Sequence, residues 1–294
     1  MPTVAQLVLN YARGLLMGGA DVIPGVSGGT VALIVGIYER LIHSIRVGAS
    51  ALLAAARLDL GRSRQRFREV EWRLVLPLGA GILTALAIGA RLIPPLLEHY
   101  REPVFALFFG LILGSVVVPF GRVERKGWAE LGLIAGAAAG AFVLVGLPPR
   151  EIADPPLYYV FVAAAVAICA MILPGVSGAF LLLVLGIYEA SLEALSSLDL
   201  PYVLTFVAGA VLGLGTFARF LEWLLAHRHS LTMAALTGLM LGSVRALWPW
   251  QTEERSLLAP PDLTALLLMA AIALTGFAAV TLLIVLGRRY AHSV

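Results

Sequence analysis

The chain alternates long apolar runs with short charged connections. The runs cover about 74–97, 103–118, 129–147, 202–226, 231–247 and 263–286. Each is long enough to cross a hydrocarbon layer as a helix, some barely, because ~20 helical residues rise about 30 Å. Two other apolar stretches are too short. Only residues 29–38 separate Gly28 from Glu39, and only 179–188 separate Gly178 from Glu189. About ten helical residues rise only ~15 Å, half the layer. Each therefore predicts the returning arm of a re-entrant hairpin, in which a helix enters, breaks near the midplane and returns to the same side. Non-helical backbone at that depth is tolerated only inside protein or beside water.

The two breaks share a motif. Ile23-Pro24-Gly25-Val26-Ser27-Gly28 leads to Gly36-Ile37-Tyr38-Glu39, and Leu173-Pro174-Gly175-Val176-Ser177-Gly178 leads to Gly186-Ile187-Tyr188-Glu189. Both 174 − 24 and 189 − 39 equal 150. A helix-breaking turn duplicated inside an apolar chain marks a transporter built from two related halves. The likeness continues beyond the motif. Ala90-Arg91 matches Ala218-Arg219, and the Gly110-Leu111-Ile112-Leu113-Gly114-Ser115-Val116 segment matches Gly238-Leu239-Met240-Leu241-Gly242-Ser243-Val244, here at an offset of 128. The difference of 22 is assigned to an insertion among Arg57, Arg62, Arg64, Arg66, Arg68 and Arg73.

The expected architecture is thus an all-α integral membrane protein of two inverted repeats, 1–150 and 151–294. Each repeat is a re-entrant helical hairpin, around 24–30 and around 174–180, plus three transmembrane helices. An odd number of crossings turns the second half upside down. Charge orients the molecule, since basic loops stay inside. The Arg57–Arg73 stretch, Arg122-Arg125-Lys126, His227-Arg228-His229 and Arg288-Arg289 are expected inside. The loops at 98–102, 150–154, 193–199 and 253–262 are acidic or balanced and are expected outside. Both termini are then cytoplasmic, in a multi-pass protein of the cytoplasmic membrane.

Composition agrees. Of 294 residues 60% are hydrophobic and 13% charged, with a mean hydropathy of +0.92. Soluble domains carry about 25% charged residues. Length alone has room for roughly eight to ten membrane segments. The net charge of +3 comes from 21 basic residues, all Arg but Lys126; it reads as topology, with no nucleic acid as partner. One cysteine, Cys169, excludes an internal disulfide and a thiolate metal site, and the five histidines show no ligand spacing. No cofactor or metal is expected. The first apolar stretch contains Asn10, Tyr11 and Arg13 and lacks a basic leader, so no cleavable signal is expected there.

The candidate chemistry lies in the breaks. In Pro24, Gly25, Val26, Ser27, Gly28, Gly29 and Thr30, the glycines expose backbone N–H groups and the hydroxyls add donors. The following half-helix turns its positive end toward the membrane centre, where an anionic headgroup fits. Pro174, Gly175, Val176, Ser177 and Gly178 repeat the arrangement. A Pro-Gly kink that merely lets helices pack would explain one copy, but not two on helices too short to cross. Gly29, Thr30 and Asp21 face Ala179, Phe180 and Met171 in the repeat, so the first copy is expected to supply more ligands. Arg91 and Arg219 lie in apolar helices. They are expected to balance a phosphate, as Arg suits bidentate contact, against the alternative that each snorkels from near a helix end. Asp21 is a candidate coupling group, since an unpaired charge there is unfavourable. Glu39 and Glu189 are candidate gates or coupling groups, with Arg40 a partner for Glu39; an ordinary interfacial carboxylate weighs equally.

The segment Gly19-Ala20-Asp21-Val22-Ile23-Pro24-Gly25-Val26-Ser27-Gly28-Gly29-Thr30, the Gly36-Ile37-Tyr38-Glu39 that follows and the second copy resemble the bacterial and archaeal polyprenyl-phosphate transporter family, formerly a family of unknown function. The resemblance spans nearly the whole chain. It implies translocation of undecaprenyl phosphate, the lipid carrier of cell-wall precursors, back to the cytoplasmic leaflet. The family's functional stretch maps onto 21–30, Glu39 and Arg40, and onto 174–178 and Glu189, with Ala190 standing where Arg40 does. Partners are then the polyprenyl phosphate, membrane lipids and a coupling proton or sodium. Two alternatives stay open from the residues themselves. One is an ion-coupled carrier of small anions. The other is an integral-membrane lipid phosphatase, for which Ser27 and Ser177 have no neighbouring histidine. A cavity opening sideways to lipid would favour the lipid substrate.

Overall fold

The computed structural model describes residues 4–23 and 25–291, with side chains through Val285. Pro24, both chain ends and the Arg288-Arg289 side chains lie outside the described residues. The described residues form thirteen α-helices and no strand. They are α1 (Val4–Asp21), α2 (Gly28–Ile34), α3 (Tyr38–Ala56), α4 (Leu60–Glu69), α5 (Trp72–Ser115), α6 (Val117–Gly121), α7 (Trp128–Leu144), α8 (Leu157–Ile172), α9 (Gly178–Val184), α10 (Tyr188–Ser196), α11 (Leu200–His227), α12 (His229–Ser243) and α13 (Leu263–Ala291). A 3₁₀ turn, Val244–Leu247, extends α12. Four segments are long and apolar enough to cross a membrane, five if the bent pair α9–α10 is counted as one span; α7 and α8 are shorter and apolar. This is a multi-pass membrane protein.

One helix is longer than expected. The 44 residues of α5 rise ~66 Å, about two hydrocarbon thicknesses. The runs at 74–97 and 103–118 are thus joined through a single non-helical residue, Tyr100 (φ −133°, ψ 36°). Arg228 separates α11 from α12 with nearly the same angles, φ −136° and ψ 41°. The two joints stand 128 residues apart, matching the offset of the surrounding sequence.

The insertion is divided rather than single. Leu58-Asp59-Leu60 recurs as Leu198-Asp199-Leu200, an offset of 140. Both leucines before the aspartates take positive φ, 59° and 56°. Asp59 and Asp199 then cap their helices by accepting from the Arg62 and Tyr202 amides. Part of the extra length therefore lies in α3, 19 residues against 9 in α10. The rest forms α4, an exposed helix rich in arginine with no buried residue.

Glycines set the helix packing. A Cβ on Gly14 or Gly18 of α1 would strike the carbonyls of Leu78 and Ile82 in α5, and one on Gly89 would meet Val22. Both sequences ascend together, so α1 and the start of α5 run parallel. Gly209 and Gly213 of α11 meet Phe161 and Ala165 of α8 in the same sense. In each half the chain has therefore returned to its starting side between the two helices. The later helices exchange between halves. Gly110 of α5 packs on Ala273 of α13, and the matching Gly238 of α12 packs on Ile134 of α7. The main core runs between these elements, from Leu33, Ile37 and Tyr38 through Leu74 and Leu78 to Met233, Leu236 and Met240.

The loops gather at two ends. At one, Arg122 reaches Glu39, the Arg125 amide donates to Ser230, and Arg40 pairs with Glu71. At the other, the Arg150 and Ile152 amides donate to Leu183 and Gly186, and a cavity brings Leu97 and Arg101 against Pro149, Gln251 and Arg255.

Candidate functional site

The two breaks are built alike. Gly25 and Gly175 take φ of +89° and +87°, and Gly36 and Gly186 take +72° and +78°. Side chains rarely adopt this left-handed region, so glycine is required at all four. Ser27 and Ser177 are the N-caps of α2 and α9. Their Oγ atoms accept from the amides of Gly29 (3.1 Å) and Phe180 (3.4 Å), meeting the need of a helix start for acceptors.

The breaks also touch each other. Thr30 Oγ1 accepts a hydrogen bond from the Gly175 amide at 2.9 Å, and both residues are buried. The Ser27 hydroxyl faces the carbonyls of Leu173 (3.3 Å) and Met171 (3.4 Å), the last turn of α8. Tyr38 donates to the carbonyl between them, Ile172, at 3.2 Å. The end of α8 leaves carbonyls without helical partners, and the first half supplies donors to them. Sequence reasoning assigned no role to Tyr38, although it lies in the repeated Gly-Ile-Tyr-Glu.

Asp21 stands where an anion was expected. Its Oδ1 accepts from the Gly28 amide at 2.6 Å, at the start of α2. A Cβ on Gly28 would collide with the same carboxylate. The carboxylate thus serves as an internal anion for the first break. Met171 occupies the corresponding place in the second.

The surroundings of the two breaks differ. Gly175 is covered by Met240 and Ser243 of α12, with Ser243 Oγ 2.8 Å from a Cβ built there. The matching residues of α5 are Ile112 and Ser115. Together with Val26 and Thr30 of the first break they line a cavity of about 360 Å³ between α1, α2, α5 and α13. Its other walls are almost all aliphatic, and Leu16 and Leu283 on its lining are exposed by 55% and 58%. The cavity therefore opens sideways onto the apolar surface of the bundle.

The structure does not bring the remaining candidates to this centre. Arg91 and Arg219 lie on exposed faces of α5 and α11, and neither enters a hydrogen bond or ion pair among the described residues. Glu39 does not pair with Arg40. Adjacent helical residues point about 100° apart, too far to face each other. Glu39 instead meets Arg122 at 3.3 Å and His229 at 3.7 Å, and Arg40 pairs with Glu71. Nearby, Glu222 of α11 takes both His43 (2.7 Å) and Arg46 of α3. Glu189 is exposed.

Paired helix breaks meeting inside a bundle of apolar helices, with an apolar cavity beside one of them, define a membrane protein of the transporter class. The chain belongs to the family described as VCA0040-like, undecaprenyl phosphate translocase-like, whose family model matches residues 17–261. A polyprenyl-phosphate transporter of Vibrio cholerae serotype O1 is 41% identical over 241 residues, 82% of this chain and 77% of that one. A polyprenyl-phosphate transporter of Staphylococcus aureus is 28% identical over 258 residues, 82% of this chain and 86% of that one. No solved structure matches the chain.

Proposed function

We propose that this protein carries a polyprenyl phosphate across the cytoplasmic membrane, holding the headgroup at the buried breaks while the isoprenoid chain stays in lipid. The observation that carries this reading is the cavity beside Val26 and Thr30. A free anion has no use for aliphatic walls open to the bilayer, whereas a lipid needs a polar centre and an apolar exit side by side. Family membership points the same way. The reading assigns no catalytic step to the protein.

In this reading the halves, 1–150 and 151–294, are inverted repeats, each a re-entrant hairpin with three crossings. The parallel α1–α5 and α8–α11 pairs, the matched joints at Tyr100 and Arg228 and the exchange of Gly110 and Gly238 support it. The arginine-rich end faces the cytoplasm. The breaks as found are closed on each other. Asp21 occupies the Gly28 amide and Thr30 the Gly175 amide, so a headgroup has to displace one or both. Protonation of Asp21 weakens its hold on Gly28 and couples headgroup exchange to a proton.

Gly19 lines the cavity, and a Cβ there meets nothing within 4 Å. Gly19→Phe should therefore project into the cavity with no clash at its Cβ. Flipping of a short-chain polyprenyl phosphate in reconstituted vesicles is expected to be lost while thermal stability holds. Unchanged flipping would refute the sideways route.

A further inference from the structure

The end of the molecule opposite the arginine-rich loops holds a second cationic feature, far in sequence from the breaks. A cavity of about 260 Å³ is lined by Arg101 at the α5 joint and by Arg255, Glu253 and Gln251 of the α12–α13 connection. Its floor includes Ala246, against which Gly25 of the first break also packs. Arg255 lies over the Phe180 ring at 4.2 Å, and Arg101 over Phe105 at 5.2 Å. A guanidinium held against an aromatic ring keeps N–H donors available for planar recognition of an anion. Among the described residues neither guanidinium donates a hydrogen bond or forms an ion pair, and Glu253, though on the same lining, is not within ion-pair reach. Burial lowers the Arg255 pKa, and Arg101 lowers it further. Arg101 is exposed and Arg255 is partly buried, and an anion bridging two like charges that share a cavity relieves their repulsion.

The position is also fixed by the backbone. Arg255 has φ +64°, a conformation that persists only when the surroundings impose it. Its amide donates to the Thr252 carbonyl at 3.0 Å. Arg245, whose guanidinium lies on Phe142 and donates to its carbonyl, also donates to the Arg255 carbonyl at 3.4 Å. The connection is thereby tied to the end of α7.

We infer that Arg101 and Arg255 form a loading site for a phosphate monoester at the end opposite the arginine-rich loops, separated from the first break by Ala246. This rests on the transport reading and adds where the headgroup is first captured. Two guanidiniums with ten N–H donors between them suit a dianion with three terminal oxygens.

The test uses the full chain in nanodiscs. Phenylglyoxal labelling, read by mass spectrometry, compares Arg101 and Arg255 alone, with inorganic phosphate and with a short-chain polyprenyl phosphate. Binding of both ligands is also measured by calorimetry for the wild type, the Arg101→Gln, Arg255→Gln double variant and the Arg101→Lys, Arg255→Lys double variant. Protection of both arginines by the lipid phosphate, with a roughly ten- to hundredfold loss of affinity in the Gln variant, is expected. The Lys variant should recover part of the loss, because charge returns without the planar fork. Protection by inorganic phosphate alone would overturn the headgroup assignment and leave a free-anion site. No protection by either ligand overturns the site, even if the Gln variant fails to fold. Normal flipping and binding in the Gln variant would likewise overturn the site and leave the transport reading intact. A wild type that protects both arginines yet flips no lipid would instead overturn the transport reading.

Discussion

Thr30 and Gly175 join the two halves of the molecule through one buried hydrogen bond, donated by the Gly175 amide to the Thr30 hydroxyl oxygen at 2.9 Å. The position that matches Thr30 in the second half is Phe180, which cannot return the contact. The pairing is therefore one-sided, and it falls on the more polar break. Thr30→Val keeps the shape and removes the acceptor. Leaving a buried amide unpaired costs about 1–3 kcal/mol. A lower melting temperature in detergent is expected for Thr30→Val and near-wild-type melting for Thr30→Ser; equal melting of all three would deny the bond its role.

Asp21→Asn preserves an oxygen for the Gly28 amide and removes the charge. The fold is expected to survive. Wild-type flipping in reconstituted vesicles should rise as pH falls and Asp21 takes up a proton, and the Asn variant should lose that slope. A pH response that persists in Asp21→Asn would remove Asp21 from the coupling, and a sodium requirement abolished by Asn would replace the proton with sodium.

Gly238 leaves no room for a Cβ, which would overlap the Ile134 carbonyl, while Gly136 of α7 has nothing within 4 Å. Gly238→Ala should therefore destabilise by about 1–3 kcal/mol through overpacking. Gly136→Ala should be neutral or stabilising by up to ~1 kcal/mol, since Ala favours helix. Thermal unfolding of the two variants side by side checks this, and the same ranking should hold for Gly110→Ala.

Glu222→Gln is expected to lower stability more than Glu39→Gln. Glu222 meets His43 and Arg46 of α3 and is 29% exposed, whereas Glu39 is 50% exposed. Exposed pairs are worth only ~0.2–1 kcal/mol and weaken with salt. Melting curves at low and high salt give the comparison, and equal losses would show that burial at Glu222 does not matter.

Arg91 and Arg219 provide the last test. Both lie on outer faces, so the double Arg91→Ala, Arg219→Ala variant is expected to bind polyprenyl phosphate as the wild type does. A clear loss of binding by calorimetry would return them to the headgroup.

Periodic local features were legible in the sequence. The duplicated Pro-Gly-Val-Ser-Gly prescribes a left-handed glycine and a serine cap, which are requirements of neighbouring residues. The apolar runs became helices. Contacts between distant segments were not legible. Asp21 reads from the sequence as a coupling candidate, and its amide partner Gly28 lies across a turn whose shape had first to be known. The charged residues at 98–102 between two apolar runs argued for a loop there, yet only Tyr100 leaves the helix. In lipid the helix is the cheapest way to satisfy the backbone, and prolines are tolerated. Arg101 and Arg255 share a cavity across more than 150 positions of chain, which no spacing rule can anticipate.

The exchange of Gly110 and Gly238 has a consequence for biosynthesis. The late part of α5 meets its partner α13 only when the last helix has been made, and α7 must wait for α12. A ribosome-bound first half therefore carries small-residue faces bare to the bilayer until translation is almost complete. Neither half is expected to fold alone. Expressed alone, each would lack the helix that covers its glycines, and only the two fragments together could restore the bundle.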